Sequence, residues 1–598
     1  RLFSQPVDGY LFAQPLYVPN VTINGAVHNV VYVATEHNSV YAFDADSNTG
    51  TNSQPLWHTS FLSTGVTTVP SGDLLSGNTD INPEVGITGT PVIDLSTGIL
   101  YVAAETLENS GASFVKKLHA LSMTTGAELP NSPIVISASV TVPGQSAVPF
   151  FTEGENQRPG LLLYNGVVYV GFAAHGDGTT ATRGWILGYS YSASGFSQVF
   201  VYCSEPSSTN GWGGGIWMSG QGLQMDTGSN LFVPIGNGEF DTTITPPVDF
   251  GDSILRIDLS QGPTVQDYFT PSNQGTLADE DEDVGSGGIA VLPAQSGPNP
   301  DLLVQAGKQG TIYLVNRDNM GKYNAASDPV VQEVIFGVQG IFGAPVYFNG
   351  KVYFWGHSDT LKAFSVTNGA LSTAPTDQGP DTFTFPGAVP TVSANGTSDG
   401  ILWALKSSAF SNTGPGGPAV LYAYNASNLA AGSIYDAESD THAVHEARLE
   451  ALDDILDQIA PEPLLLTYWF KFDAERVLAH LKTRGISARV YSGPQDEIAW
   501  NAGKLRVLLL HEQSAHGLNL HKPCRDVCFY TQCWSAELRQ QMIERVGPAR
   551  QVQIGKKTVV RVWDIVANGT LDRELIATNQ RKISMEQALK RARARRKV

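Results

Sequence analysis

Cysteine is scarce, with four in 598 residues. Cys203 stands alone in the first 431 residues, so no disulfide can close there, while Cys524, Cys528 and Cys533 crowd the far end. The chain is therefore not a disulfide scaffold. No apolar run reaches the ~18 residues that a membrane-crossing helix needs, so no membrane span is expected. Basic residues are short in the first part: up to Tyr435 there are 12 Lys and Arg against 35 Asp and Glu, a net of −23. The remainder holds 25 against 21, a net of +4. Such asymmetry points to two modules with different partners, the first too acidic for casual nucleic-acid binding. A phosphate loop is also missing. Lys308, Lys322, Lys351, Lys504 and Lys556 each follow a glycine, but none precedes Ser or Thr, so GxxxxGK[ST] does not occur. The first residue is Arg1, with no charged-then-apolar leader behind it, so a signal peptide is neither present nor excluded.

What is abundant is a repeat. Val30 to Trp57 reads as an apolar strand, a turn, a second apolar strand, an Asp/Asn/Gly turn and a tryptophan. Period-two alternation bounded by Gly, Asn, Asp and Ser marks β-hairpins. One hairpin cannot bury both its faces, and degenerate copies follow from Gly98, Asn165, Ser229, Asp301, Asn349 and Asp399. Gly-rich strand starts such as GITGTPVID and FGAPVYF precede several of them. The unit is about four short strands, repeated about seven times, with eight as the alternative. Radial repetition of four-stranded sheets hides sheet edges, so the first module is read as an all-β propeller over residues 1–431. The last unit shows no outer strand of its own, and Leu2–Val7 is expected to supply it, closing the ring beside Tyr424.

The turn AFDADSNTG followed by Trp57 resembles the PQQ-type (pyrroloquinoline-quinone-like) propeller repeat. HALSMTTGAE matches less well and the later blades weakly. The resemblance covers about 430 residues. It implies that Asp44, Gly50 and Trp57 are structural and dock neighbouring blades. Quinone dehydrogenases of this type commonly use adjacent cysteines against the cofactor, a Ca²⁺ held by carboxylate and amide, and a catalytic Asp. This chain has no Cys–Cys pair, so a quinone-dependent dehydrogenase is the least favoured reading. A binding or scaffold module outside the cytoplasm is the favoured one.

Other candidates in this module come from the residues alone. DEDED over 279–283 sits before a Gly-rich turn; Asp279, Asp281 and Asp283 can offer oxygen ligands to Ca²⁺, against a solvated acidic loop as the alternative. Trp217 and Met218 lie among glycines in GGGIWMSGQG, either lining a ligand channel or packing round the axis. Glu84, Arg158, His175 and Lys308 are rare charged residues near inner strands.

From Gly432 the pattern changes. Val444, Leu449, Leu452, Ile455, Leu456 and Ile459 recur at helical spacing. PLLLTYWF reads as a buried strand, FDAERVLAHLKTRG as a helix stopped by Gly485, then ARVYSG, LRVLLLHE and DVCFYT as strands. Strands alternating with helices imply an α/β module with a parallel sheet over 432–598.

Four pieces in order, PLLLTYWFKFDAERV, WNAGKLRVLLLHEQSAHGLNLH, FYTQCWSAELRQQMIERVGPARQ and VRVWDIVANGTLDREL, resemble the C-terminal RecA-like lobe of Swi/Snf-type superfamily-two helicases. The resemblance implies that His516, Gly517 and Asn519 couple ATP and nucleic-acid contacts. It also implies that Gln541 and Gln551 face the nucleotide. Arg545 and Arg550 are the candidate arginine fingers, since a guanidinium stabilises charge on the transferring phosphoryl group. Pro548 stands where an arginine is usual. Such a motor needs a first lobe with a phosphate loop and a Mg²⁺-binding acid, and neither is present. The DEDED run follows Thr-Leu-Ala and not a buried strand.

No autonomous ATPase is therefore expected, and ATP with Mg²⁺ would bind only with a first lobe supplied. Cys524, Cys528 and Cys533 lack CxxC spacing and read as buried thiols, not a zinc site. The KRARARRKV tail suits phosphate contacts or a solvated end. The sequence thus reads as a fusion: a propeller for binding or scaffolding, joined to an incomplete helicase lobe. A motor completed by a separate first lobe is the runner-up. The propeller suggests an extracytoplasmic setting and the lobe a cytoplasmic one.

Overall fold

The computed structural model describes the chain except residues 1–2, 75–79, 179–180, 210, 408–418, 437–447, 450, 469–470, 512–517, 519, 521, 532–535, 548–550, 553–558 and 567–598. It divides into two compact bodies, with the junction between Ala437 and Glu438.

The first body is a propeller of seven blades, antiparallel apart from the short strand Lys322–Tyr323, which adds to the fourth in parallel. Each has the same plan, seen in the first: Leu16–Ile23, Ala26–Ala34, Ser39–Asp44 and Trp57–Ser60 pair in chain order. The second strand of the remaining blades is Ile99–Glu108, Val167–Ala174, Asn230–Pro234, Leu302–Ala306, Lys351–Phe354 and Ser398–Lys406. Each third strand alternates its side chains between two neighbours. In the third blade Leu187 and Tyr189 join a cluster with the second, while Ile186 joins one with the fourth. In the fifth, Tyr313 and Val315 face back and Ile312 and Leu314 face forward. Both faces of a blade are thus spent on sheet-to-sheet packing, which is why seven short strand sets give one stable body.

The Asp/Gly/Trp turn works as a dock between blades. Trp57 Nε1 donates to Met123 O at 3.0 Å in the second blade. Its ring lies over Gly126, whose φ is +70°, where an added Cβ would come 2.4 Å from the indole. Asp44 accepts from the backbone N–H groups of Asp46 and Ser47 and from His28, pinning the turn that leads to Trp57.

Two expectations are corrected here. The seventh blade carries its own outer strand, Ser433–Asp436, paired with Val420–Asn425. The module therefore runs beyond Ala431. Nor does the N-terminal segment pair beside Tyr424: Gln5 donates to Asn52 O, Asn48 donates to Ser4 O, and Val7 packs on Val33, Tyr41 and Phe43. These contacts are all with the first blade. Leu2 lies outside the described residues.

The second body is α/β. Its strands Leu464–Tyr468, Ala488–Val490, Val507–His511, Asp526–Phe529 and Arg561–Asp564 form one parallel sheet, with Leu464–Tyr468 at the centre between the third and fourth of these. The central strand is buried along its whole length, as expected where helices cover both faces. Helix Lys471–Thr483 ends where Gly485 takes φ +67°. Its Val477 and Leu481 pack with Leu452 and Leu456 of the helical stretch 451–458, and with Ile459 in the turn after it. Met542 and Val546, on helix Ala536–Val546, pack with Trp500 and Leu520 in the second cluster. The helix Pro494–Asn501 carries no clear sequence signal, because its eight residues are too few to show a helical period. No helix among the described residues is long and apolar enough to cross a membrane.

Candidate metal centre

All seven second strands run the same way in their blades, so the residues that follow them gather at one end of the propeller. Apolar strand, then one polar residue, is the local rule: Glu36, His175, Asn237, Lys308 and His357 each come just after a second strand. Glu105 occupies the end of another. Glu105 is held from two sides. Asn38 donates to Glu105 O, and His175 Nε2 lies 3.2 Å from Glu105 Oε2. Glu105 also pairs with the buried Lys116 at 2.6 Å.

The densest part lies between the third and fifth blades. Carboxylate oxygens of Asp177, Asp281 and Asp283 all lie within 4.8 Å of one another. Lys308 Nζ sits 2.7 Å from Asp281 Oδ1 and 2.5 Å from Asp283 Oδ2. Asn237 joins them: its backbone N–H donates to Asp283 Oδ1 at 2.7 Å and its side-chain amide donates to Asp281 Oδ1 at 2.7 Å. The carbonyl Oδ1 of Asn237 is buried with no partner. Three carboxylates form a hard oxygen donor set of the kind that Ca²⁺ takes, beside a residue whose amide oxygen is orphaned.

The electrostatics match the geometry. Burial, and then the Asp283 charge, push the Asp177 carboxyl up to about 7, while Lys308 pulls it down. Burial raises Asp283 too, opposed by Lys308. Buried Asp252 behind them is raised by burial and by Asp283, although Val284 N–H and Gln274 donate to it. The like charge gathered round Lys308 is relieved either by a proton on these carboxyls or by a further cation.

Glycines let this end close up. A Cβ on Gly236 would lie 2.6 Å from Asp283 Oδ1 and 2.9 Å from Trp217 Nε1. A Cβ on Gly307 would lie 2.2 Å from Asp283 O. The half-exposed indole of Trp217 therefore stands beside the carboxylates. Met218, next to it, is buried with φ +35°, a conformation that L-residues hold only when their surroundings impose it.

Of the residues singled out in the sequence, Asp281, Asp283, Lys308 and Trp217 converge. Asp279 does not: it ends the short helix Gln274–Asp279 and is exposed. His175 turns to Glu105, Arg158 donates to Ser219 Oγ, and Glu84 pairs with His37 and Thr68. Asp177 and Asn237 were missed. Their signal was positional, since each stands one to three residues past a second strand, as Lys308 does.

In the second body Gln551 is buried, its amide donating to Cys524 O at 2.8 Å and to Val546 O at 3.2 Å. Gln541 and Arg545 lie on helix Ala536–Val546, one turn apart on the same side. His516, Gly517, Asn519 and Arg550 lie outside the described residues, as does Cys533. Cys524 and Cys528 are buried, with Cys524 Sγ donating to Asp526 O and Pro463 O. Among the described residues the Asp177 group is the one cluster of three or more metal-binding side chains.

No family model matches the chain. Protein p41 of Acyrthosiphon pisum secondary endosymbiont phage 1 is 35% identical over 164 residues, which are 27% of this chain. The chain spans about a third, 35%, of that relative's length. Among solved structures, quinohemoprotein alcohol dehydrogenase ADHIIG from Pseudomonas putida HK5 is 14% identical, with a TM-score of 0.41 over 73% of this chain and 67% of its own. The C-terminal part of the Fun30 ATPase domain is 15% identical, with a TM-score of 0.20 over 22% of this chain and 44% of its own.

Proposed function

We infer that the propeller is a binding module that takes up a divalent cation on Asp177, Asp281 and Asp283. The observation that carries this is the meeting of three carboxylates from two different blades around one lysine. Lys308 would then be a competing internal cation that screens the repulsion between Asp281 and Asp283 until the metal enters. Titration of the full chain with Ca²⁺ by calorimetry tests it: one site is expected, weakened at least tenfold in Asp283→Asn.

A quinone fits this end poorly. Trp217 offers a flat wall, but the adjacent cysteines that would face it are absent. Cys203, the one cysteine of this body, is buried and its thiol is pushed well above its ordinary value by that burial.

For the second body, the reading is a nucleotide- and nucleic-acid-facing helicase lobe that cannot turn over ATP alone. Gln541 and Arg545 would face the phosphates of a nucleotide gripped by a separate first lobe, with Arg550 as a further finger. His516, Gly517 and Asn519 keep their assigned coupling role in this proposal. The reading rests on the four ordered motifs and on the parallel sheet that carries them.

A further inference from the structure

The end of the propeller that holds the Asp177 group also lifts apolar side chains into solvent, one loop at a time. In the first blade the N–H of Glu36 donates to Tyr10 O at 3.0 Å, which ties the exposed run Tyr10, Leu11 and Phe12 to this end. In the fourth, exposed Ile244 lies in the same connection between second and third strands as Asn237. Ile335 and Phe336 follow the fifth blade's outer strand, and just beyond them Val338 N–H donates to Gly310 O, in the turn after Lys308. Phe385 lies edge-on to Phe342 at 4.9 Å, and Phe342 lies against His357 at 5.8 Å. Phe336 is 69% exposed and Phe385 61%. Phe336 also holds φ +49°, a costly backbone for a bulky residue. At the opposite end three of the turns from first to second strand are Asn–Gly pairs, at 24–25, 165–166 and 349–350, and Leu95 is the exposed apolar residue of another.

Each apolar tip is short and stands on a loop of its own. A protein partner buries one continuous patch, whereas a bilayer admits short tips one by one, with aromatic rings seated at its interface. Charge decides which bilayer, and when. The Asp281 side chain is 72% exposed, so a cation held there reaches this face. Ca²⁺ takes about six to eight oxygens, and three carboxylates offering one each leave positions for other ligands. Without a cation, the exposed Glu280 and Asp281 and a module of net charge −23 repel an anionic surface. With one, phosphate and carboxylate oxygens of an anionic headgroup can complete the shell.

We propose that this end docks on an anionic phospholipid bilayer, Ca²⁺ on the Asp177 group bridging to headgroup oxygens while Phe336, Phe385 and the run from Tyr10 to Phe12 enter the interface. The proposal rests on the cation reading above and adds the partner of that site.

Co-sedimentation of the full chain with vesicles tests it. The vesicles are phosphatidylcholine alone, or equimolar phosphatidylcholine and phosphatidylserine, each in Ca²⁺ and in EDTA. The chain should pellet with the mixed vesicles in Ca²⁺ and in no other condition. Phe336→Ser with Phe385→Ser should cut the bound fraction about tenfold. Calorimetry should find Ca²⁺ uptake unchanged in that variant, because neither residue offers the cation an oxygen. Ca²⁺ uptake by the parent without vesicle binding overturns the proposal and leaves the cation reading standing, even where soluble glycerophosphoserine binds. No Ca²⁺ uptake removes both. Binding in EDTA, equal binding to phosphatidylcholine alone, or equal binding by the variant also overturns it. So does pelleting in Ca²⁺ without vesicles, which would assign this face to a second copy of the chain.

Discussion

Lys308 Nζ lies 2.5 Å from Asp283 Oδ2, a cation from the end of the fifth blade's second strand locked to an acid from the loop before that blade. The same ammonium reaches Asp281 at 2.7 Å. Removing it should separate two effects. Lys308→Met leaves a buried carboxylate without its partner, a loss of about 3 kcal/mol by comparison with other broken buried pairs. Ca²⁺ should then raise the melting temperature of this variant more than that of the parent, because nothing competes for the oxygens. Scanning calorimetry with and without Ca²⁺ reads both. An equal Ca²⁺ shift in the two proteins would remove Lys308 from the site.

The dock between the first two blades makes a second prediction. Gly126 has φ +70° and supports the Trp57 ring with no room for a Cβ. Gly126→Ala should destabilise the propeller by about 2 kcal/mol or more, from backbone strain and from the displaced indole. Trp57→Phe should cost less at this contact, about 1 kcal/mol for the lost bond to Met123 O, plus the smaller ring. Denaturant unfolding followed by fluorescence checks the order of the two.

A third concerns pH. Burial pushes the Glu36 carboxyl up to about 7 from its ordinary 4.5, against bonds from Gly86 N–H and Thr88 and the charge of Arg158. The folded protein therefore holds this proton over a range where the unfolded chain has released it. Its stabilising contribution is complete below about 4.5 and is lost as pH rises through about 7. At ~1.4 kcal/mol per pKa unit the change is of order 3 kcal/mol. Glu36→Gln should flatten the stability profile between these values and raise stability at pH ~8. A profile that keeps its slope in the variant would assign the dependence to other groups.

Much of the fold is legible in the sequence, and the reasons are local. Period-two alternation finds the central hairpin of every blade, and Gly485 marks its helix end because a left-handed backbone turns there. The last blade's outer strand is hidden because SIYD has four residues and no turn signal after it. The metal centre is half legible: the acidic run announces Asp281 and Asp283, but Asp177 is over a hundred residues away in sequence. Only the propeller's rotation brings it near, and rotation leaves no trace in spacing. Glu36 and Glu105 are likewise unreadable as buried acids, since a strand-end carboxylate looks the same in sequence whether it is wet or dry.

The second body yields a fourth prediction. With no phosphate loop in 598 residues, the purified chain should show no nucleic-acid-stimulated ATP hydrolysis. Turnover that appears only on adding a separate first lobe would establish the runner-up reading, and turnover by the chain alone would contradict the account of this body.

The claim on which the account of the propeller rests is the cation at Asp177, Asp281 and Asp283. Isothermal calorimetry of the full chain with Ca²⁺, beside Asp177→Asn and Asp283→Asn, tests it most directly. One Ca²⁺ per chain, weakened at least tenfold in both variants, is the predicted result. No binding to the parent, or binding that both variants keep unchanged, would contradict it.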